Sequence, residues 1–158
     1  MSARFLTAVS GRAFNMRDRF GREIDYMRIS VIDSCNLNCY YCNPQDNDKK
    51  CQAINTLSVK KVFCIVRAAT RLGITHFRLT GGEPLLHPQI DEMVSQIKKI
   101  PGVRSVSLTT NAVLLAQHAK QLKEAGIDSI NVSLDTIDAS EYEHITKKPL
   151  LHKVEQGI

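Results

Sequence analysis

Tyr26-Met27-Arg28-Ile29-Ser30-Val31-Ile32-Asp33-Ser34-Cys35-Asn36-Leu37-Asn38-Cys39-Tyr40-Tyr41-Cys42 is the stretch on which the reading of this chain turns. Its first eight residues, 26–33, read as a strand in which Arg28 and Ser30 fall on one parity and Ile29 and Val31 on the other. Cys35, Cys39 and Cys42 follow at once in a C-x3-C-x2-C run. Three thiolates on one short loop can hold three irons of a cubane 4Fe-4S cluster and leave the fourth iron without a protein ligand. An iron with an open position is a place for chemistry. The alternative is a structural zinc site, which is closed by four ligands. Only Cys51 is near enough in sequence to be an obvious fourth, and no His lies within the loop.

Outward from this stretch, strands alternate with helices. Ser58 has the chemistry of an N-cap, and Val59, Val62, Phe63, Val66, Ala69 and Leu72 follow at helical spacing until Gly73 stops them. Residues 74–80 form the second strand. Pro88 fits a first helical turn, with Ile90, Met93, Val94 and Ile97 on one apolar stripe that Pro101-Gly102 ends. Residues 103–110 form the third strand, and a helix with Leu115, Ala119 and Leu122 on one face runs to Gly126. Residues 127–135 form the fourth strand, and 141–146 and 150–158 have helical character. Cys64 reads as a small hydrophobe on the first helix. Strand-helix units joined by short loops imply a parallel sheet.

The two parities of those strands differ in kind. One carries Arg28, Ser30, His76, Arg78, Thr80, Ser105, Ser107, Thr109, Asn131, Ser133 and Asp135; the other carries Ile29, Phe77, Leu79, Val106, Leu108, Ile130, Val132 and Leu134. A parallel sheet covered by helices on both faces reads as near-continuous hydrophobic strands, which these are not. One face therefore meets polar ligand or water. The expected fold is α/β: a partial (β/α) barrel of about four parallel strands with helices on the outer face and a polar interior, unlike the apolar interior of a closed eight-stranded barrel. An open sheet with one solvated face is the alternative.

The second strand ends in Thr80-Gly81-Gly82-Glu83-Pro84, where two glycines allow close backbone approach and a carboxylate can accept hydrogen bonds from an ammonium group. Together with the cysteine loop, this motif resembles the radical S-adenosylmethionine (SAM) superfamily. The resemblance implies that Cys35, Cys39 and Cys42 ligate a 4Fe-4S cluster. It also implies that Tyr41, Gly81, Gly82, Glu83 and Ser133 lie against SAM. Within the superfamily the sequence is similar to the GTP 3',8-cyclase family of molybdenum cofactor biosynthesis, from about Arg17 to the C-terminus. Residues 20–30, 77–84, Leu108-Thr109-Thr110-Asn111 and residues 130–135 carry that likeness. It implies conversion of GTP to (8S)-3',8-cyclo-7,8-dihydroguanosine 5'-triphosphate, with Arg28, Arg78 and Thr109 at the nucleotide, and it assigns no catalytic side chain. Ala112 stands where that family usually has Gly, so the turn there must avoid a positive φ or accept strain.

Residues 1–19 are expected to form an N-terminal arm and 20–158 a radical SAM core cut short on its C-terminal side, near the middle of the family's length. GTP, an electron donor, and either self-association or a separate C-terminal half are the partners expected. Another radical SAM enzyme, such as a peptide-modifying maturase, and a non-catalytic fragment needing a second chain are the competing readings; the maturase gives no reason for arginines at 28 and 78.

Composition bounds these readings. At 158 residues, 43% hydrophobic and 23% charged, the chain suits one domain with a single core. Five cysteines, with three at ligand spacing, argue for a reducing compartment rather than a disulfide scaffold. No apolar run is long enough to span a membrane. A net charge of +5 suits an anionic small ligand but equally a merely basic surface, and neither nucleic acid nor a membrane is expected as a partner. A cytoplasmic location is expected. Arg4, Arg12 and Arg17 without an acid before residue 18 bear a faint likeness to an organelle transit peptide, which leaves an organelle matrix as the alternative.

Overall fold

The structure, a computed structural model, describes residues 16–42 and 55–158. Four strands, β1 (Tyr26–Ser30), β2 (His76–Thr80), β3 (Ser105–Thr110) and β4 (Ser129–Val132), form one parallel sheet in chain order. Their register sets Arg28 opposite Arg78, Arg78 opposite Ser107, and Thr109 opposite Asn131. Helices α1 (Val59–Arg71), α2 (Ile90–Lys98) and α3 (Leu115–Ala125) make the crossovers, and α4 (Ala139–Thr146) and α5 (Leu151–Gly157) follow β4.

Each crossover helix is bounded by the residues that local chemistry requires. The Ser58 hydroxyl accepts from Lys61 N at 3.4 Å to cap α1. Asp91 and Glu92 in the first turn of α2 and Lys98 in its last oppose the helix dipole. Gly126, at φ 90°, ends α3 in the left-handed conformation that favours glycine. The apolar strand parity, Phe77, Leu79, Val106 and Leu108, is fully buried against Val62 and Val66 of α1, Ile90, Met93, Val94 and Ile97 of α2, and Leu122 of α3. Each such side chain contributes about 1.5–3 kcal/mol by leaving water. On the opposite parity Arg78, Thr80 and Thr109 are half-buried, while Arg28 and Asn131 are exposed. The two-faced sheet expected from the strand pattern is therefore present, as a partial (β/α) barrel. β1 and β4 each have one strand neighbour among the described residues.

Several details differ from the expectation. The strands are shorter, because pairing changes partner at their ends. Val31 N still bonds Thr80 O at 2.9 Å, but Val31 O accepts from Leu57 N and Ile32 bridges Thr56 antiparallel. Ser133 and Asp135 lie beyond β4, although Ser133 N still bonds Thr110 O at 2.8 Å. Pro88 precedes the Gln89 cap of α2 rather than opening the helix, and Pro84–Leu86 form a 3-10 turn. Ala119 is exposed on α3, whose buried residues are Leu115 and Leu122, and Cys64 lies on the exposed side of α1. Ser107 is buried, because its hydroxyl donates to Phe77 O and accepts from Arg78. At the start of the described chain Arg17 pairs with Glu23 in an antiparallel bridge and a 2.8 Å ion pair, so a small hairpin crosses the expected 19/20 boundary. Cys51 and residues 1–15 lie outside the described residues.

Candidate functional site

A cleft of ≈ 270 Å³ opens at the C-terminal ends of the strands, where parallel sheets place their sites. Cys35, Leu37, Cys39, Tyr41 and Cys42 line it from the loop after β1, Gly81, Gly82 and Glu83 from the loop after β2, and Asn111 from the turn after β3. Thr80, Thr109 and Thr110 at the strand ends, Ser133 and Asp135 beyond β4, and Tyr142 and Thr146 of α4 complete it. A second cavity, ≈ 580 Å³, shares Cys35, Leu37, Cys39, Cys42, Gly81 and Gly82 with it.

The cysteine loop is tied down at both ends. Gly82 N donates to Ile32 O at 2.8 Å and Glu83 N to Ser34 O at 2.8 Å, which extends the β1–β2 pairing into the loops. A Cβ on Gly81 would overlap Ile32 O, and one on Gly82 would overlap Ser34 O. The two glycines thus serve a close approach of backbone to the cysteine loop itself, where the sequence suggested an approach to a ligand. At the far end Asn38 N bonds Thr146 O at 3.0 Å and Tyr40 N bonds Ile145 O at 3.2 Å. The Tyr41 hydroxyl donates to Asp135 at 2.7 Å, a clasp across the cleft that holds the phenol well above its ordinary range.

Glu83 is the buried hub of this end of the sheet. It is 1% exposed; Oε1 accepts from Leu85 N at 2.9 Å and the Thr110 hydroxyl at 2.7 Å, and Oε2 accepts from Asn111 N at 2.8 Å. Burial raises its pKa, against the opposing pull of these donors. The turn that delivers the Asn111 amide passes through Ala112, fully buried at φ 63°. Of the two ways a non-glycine could be accommodated there, the chain takes the strained one.

The three thiols are free and share one cleft. Burial pushes Cys35 up, partly offset by the Leu37 N–H, and burial likewise raises Cys39. Among the described residues no group of three or more His, Cys, Asp or Glu side chains is gathered for a single metal ion, and Cys51, the fourth ligand of the zinc alternative, lies outside them. A cubane takes one thiolate at each of three separate irons, and three unpaired thiols around one cleft fit that demand. Tyr142 also lines the cleft, and its buried hydroxyl has the Thr146 side chain beside it without a well-formed hydrogen bond.

Arg28 and Arg78 share the polar sheet face with Thr109 but, unlike Thr109, do not line this cleft. Arg28 Nε donates to the Tyr26 hydroxyl and Arg78 Nε to Ser107 Oγ, both at 3.1 Å, and both guanidinium groups lie about the Tyr26 ring, at 6.0 and 5.6 Å. Among the described residues neither forms an ion pair. Asn111, Asp135 and Tyr142 are among the cleft residues that sequence reasoning did not single out as site residues. Asn111 and Asp135 sit inside the segments quoted for the likeness, so that signal was present; for Tyr142 nothing in the sequence pointed to the cleft.

Residues 29–158 match the family model described as the radical SAM superfamily. The GTP 3',8-cyclase of Pelotomaculum thermopropionicum is 44% identical over 143 residues, 90% of this chain and 44% of that protein. That of Clostridium acetobutylicum is 43% identical over 90% of this chain and 45% of its own length. Human molybdenum cofactor biosynthesis protein 1 is 38% identical over 90% of this chain and 22% of its own length. The chain thus spans less than half the length of these curated relatives. Among solved structures, HydG, a maturase of the [FeFe]-hydrogenase, superposes with a TM-score of 0.67 over 84% of this chain and 30% of its own, at 21% identity, a likeness of fold alone.

Proposed function

The chain belongs to the radical SAM superfamily, and from that premise we propose that it takes part in converting GTP to (8S)-3',8-cyclo-7,8-dihydroguanosine 5'-triphosphate in molybdenum cofactor biosynthesis. Cys35, Cys39 and Cys42 would hold a 4Fe-4S cluster, and Tyr41, Gly81, Gly82 and Ser133 would contact SAM. When bound, the reduced cluster and SAM supply the radical that opens the reaction on GTP. Glu83 serves SAM chiefly as the support of the loop that borders it. A carboxylate has about four lone-pair sites, and Glu83 already accepts three hydrogen bonds.

The observation that carries the GTP reading is the pair Arg28 and Arg78, side by side in register on the polar face without a carboxylate partner among the described residues. Unpaired guanidinium forks on an inward face suit phosphate oxygens, which they bind two at a time. Thr109 supplies a hydroxyl from β3, the strand next to that of Arg78.

The test is anaerobic reconstitution with iron and sulfide, followed by calorimetry with GTP, ATP and UTP and product analysis after reduction with SAM. One cluster per chain is expected, with GTP preferred. Arg78→Ala should weaken GTP by about 1.5–3 kcal/mol, the usual worth of a hydrogen bond to a charged group. Equal affinity for the three nucleotides, or for wild type and the arginine variant, would overturn the GTP reading and favour a different radical SAM substrate.

A further inference from the structure

We propose that Asn111 is a positioning residue for the metal centre: its side-chain amide donates a hydrogen bond to Cys35 Sγ and thereby raises the reduction potential of the cluster. This rests on the reading of the cysteine loop as the holder of a 4Fe-4S cluster. Asn111 Nδ2 lies 3.8 Å from Cys35 Sγ and 2.8 Å from Asn36 Oδ1, so its two N–H bonds have two acceptors. Its Oδ1 accepts from Val113 N at 3.1 Å, and its backbone N–H is held by Glu83. Every polar atom that fixes the direction of this amide is therefore engaged. The buried, left-handed Ala112 that follows locks the turn further.

Two donors approach Cys35, since Leu37 N also lies 3.5 Å from its sulfur. An N–H···S bond is stronger to the more electron-rich sulfur of the reduced cluster than to that of the oxidised one. It therefore favours reduction, and hydrogen bonds to the sulfurs are among the factors that set such potentials. The amide comes from the end of β3, 76 positions away from Cys35, so only the fold brings it to the cluster loop. A purely mechanical role, tying the turn to the loop, is carried by the shorter bond to Asn36.

The experiment is redox titration of the reconstituted chain, followed by electron paramagnetic resonance, for wild type, Asn111→Ser and Asn36→Ala. Asn111→Ser keeps a short side chain able to cap Val113 N but cannot reach the sulfur. Its potential is expected to fall while its iron content stays at the wild-type level, and Asn36→Ala is expected to titrate close to wild type. An unmoved potential in Asn111→Ser, or an equal fall in Asn36→Ala, would overturn the inference. Failure of wild type to load iron would instead overturn the cluster reading on which it rests. Should only Asn111→Ser fail to load, wild type carrying asparagine labelled with 15N at the side-chain amide decides the matter. A weak 15N coupling to the reduced cluster is expected, and its absence overturns the inference.

Discussion

The two ends of the one sheet are built on opposite terms. At the end where the strands begin, charges are paired and backbone groups are satisfied locally. Asp128 accepts from Lys98 Nζ at 2.8 Å and from Val106 N at 2.7 Å, and Asp25 O accepts from Thr75 N and His76 N. At the end where the strands finish, a carboxylate is buried without a cation, an alanine is held at positive φ, two glycines press against backbone, and three thiols and a phenol face a cleft. The carboxylates show the contrast directly. Burial works to raise Asp128 as well, but Lys98 and the Val106 N–H outweigh it and bring its pKa below the usual value, whereas burial prevails at Glu83 and lifts it. Thr75 Oγ1 is also buried without a partner where the strands begin, but the strained alanine, the tight glycines and the buried carboxylate gather at the other end, where a site must be held in one geometry.

The largest test of this asymmetry compares glycines. Gly82→Ala should destabilise by more than about 3 kcal/mol, beyond ordinary overpacking, because the new Cβ meets the backbone of Ser34 and neither chain can yield alone. Gly102→Ala at the opposite end should lose only about 1–2 kcal/mol for its positive φ, since Thr70 Cβ would be in ordinary contact at 3.6 Å. Chemical denaturation of both variants checks this, and equal losses would break the comparison.

Next come the carboxylates. Glu83→Ala removes three hydrogen bonds of about 1 kcal/mol each and should destabilise by about 3 kcal/mol. Asp128→Ala, at a solvent-screened pair, should lose about 1 kcal/mol. Their pH dependence runs in opposite senses. A lowered pKa means that the Asp128 contribution is full above the ordinary value of 3.8 and lost as pH falls through the lower folded value. A raised pKa means that the Glu83 contribution is full below the ordinary value of 4.5 and lost as pH rises through the higher folded value. The stability gap between wild type and Glu83→Gln should therefore shift in favour of wild type as pH falls from 7 toward 5. The gap to Asp128→Asn should stay constant over that range and shrink only in stronger acid. Urea unfolding at stepped pH measures both, and parallel pH profiles would refute the assignment.

The smallest effect is expected at Ala112. Relief of the left-handed strain, about 1–2 kcal/mol, is offset by the entropy of glycine, about 0.5–1 kcal/mol, and by loss of a buried methyl, about 0.8 kcal/mol. Ala112→Gly should thus lie within about 0.5 kcal/mol of wild type in a thermal melt. A change larger than about 1 kcal/mol in either direction would show that the turn is not held as the structure has it.

The sequence by itself determined the alternation of strand and helix, the polar and apolar parities of the sheet, and the cysteine and glycine motifs, because these depend on spacing along the chain. Its strand ends were too long, because pairing near Val31 and Ser133 is decided by neighbours such as Thr80, Leu57 and Thr110 that periodicity does not see. It assigned the glycines and Glu83 to a ligand on motif alone. The structure shows their backbone and carboxylate engaged with the cysteine loop and the end of β3, because close packing between segments is a tertiary fact. The convergence of Asn111 on Cys35, of Asp135 on Tyr41 and of Tyr142 on the cleft likewise joins residues 76, 94 and about a hundred positions apart. Such contacts arise only when the sheet brings the ends of its strands together, since a side chain's hydrogen-bonding chemistry is written in its type but its partner is chosen by the fold.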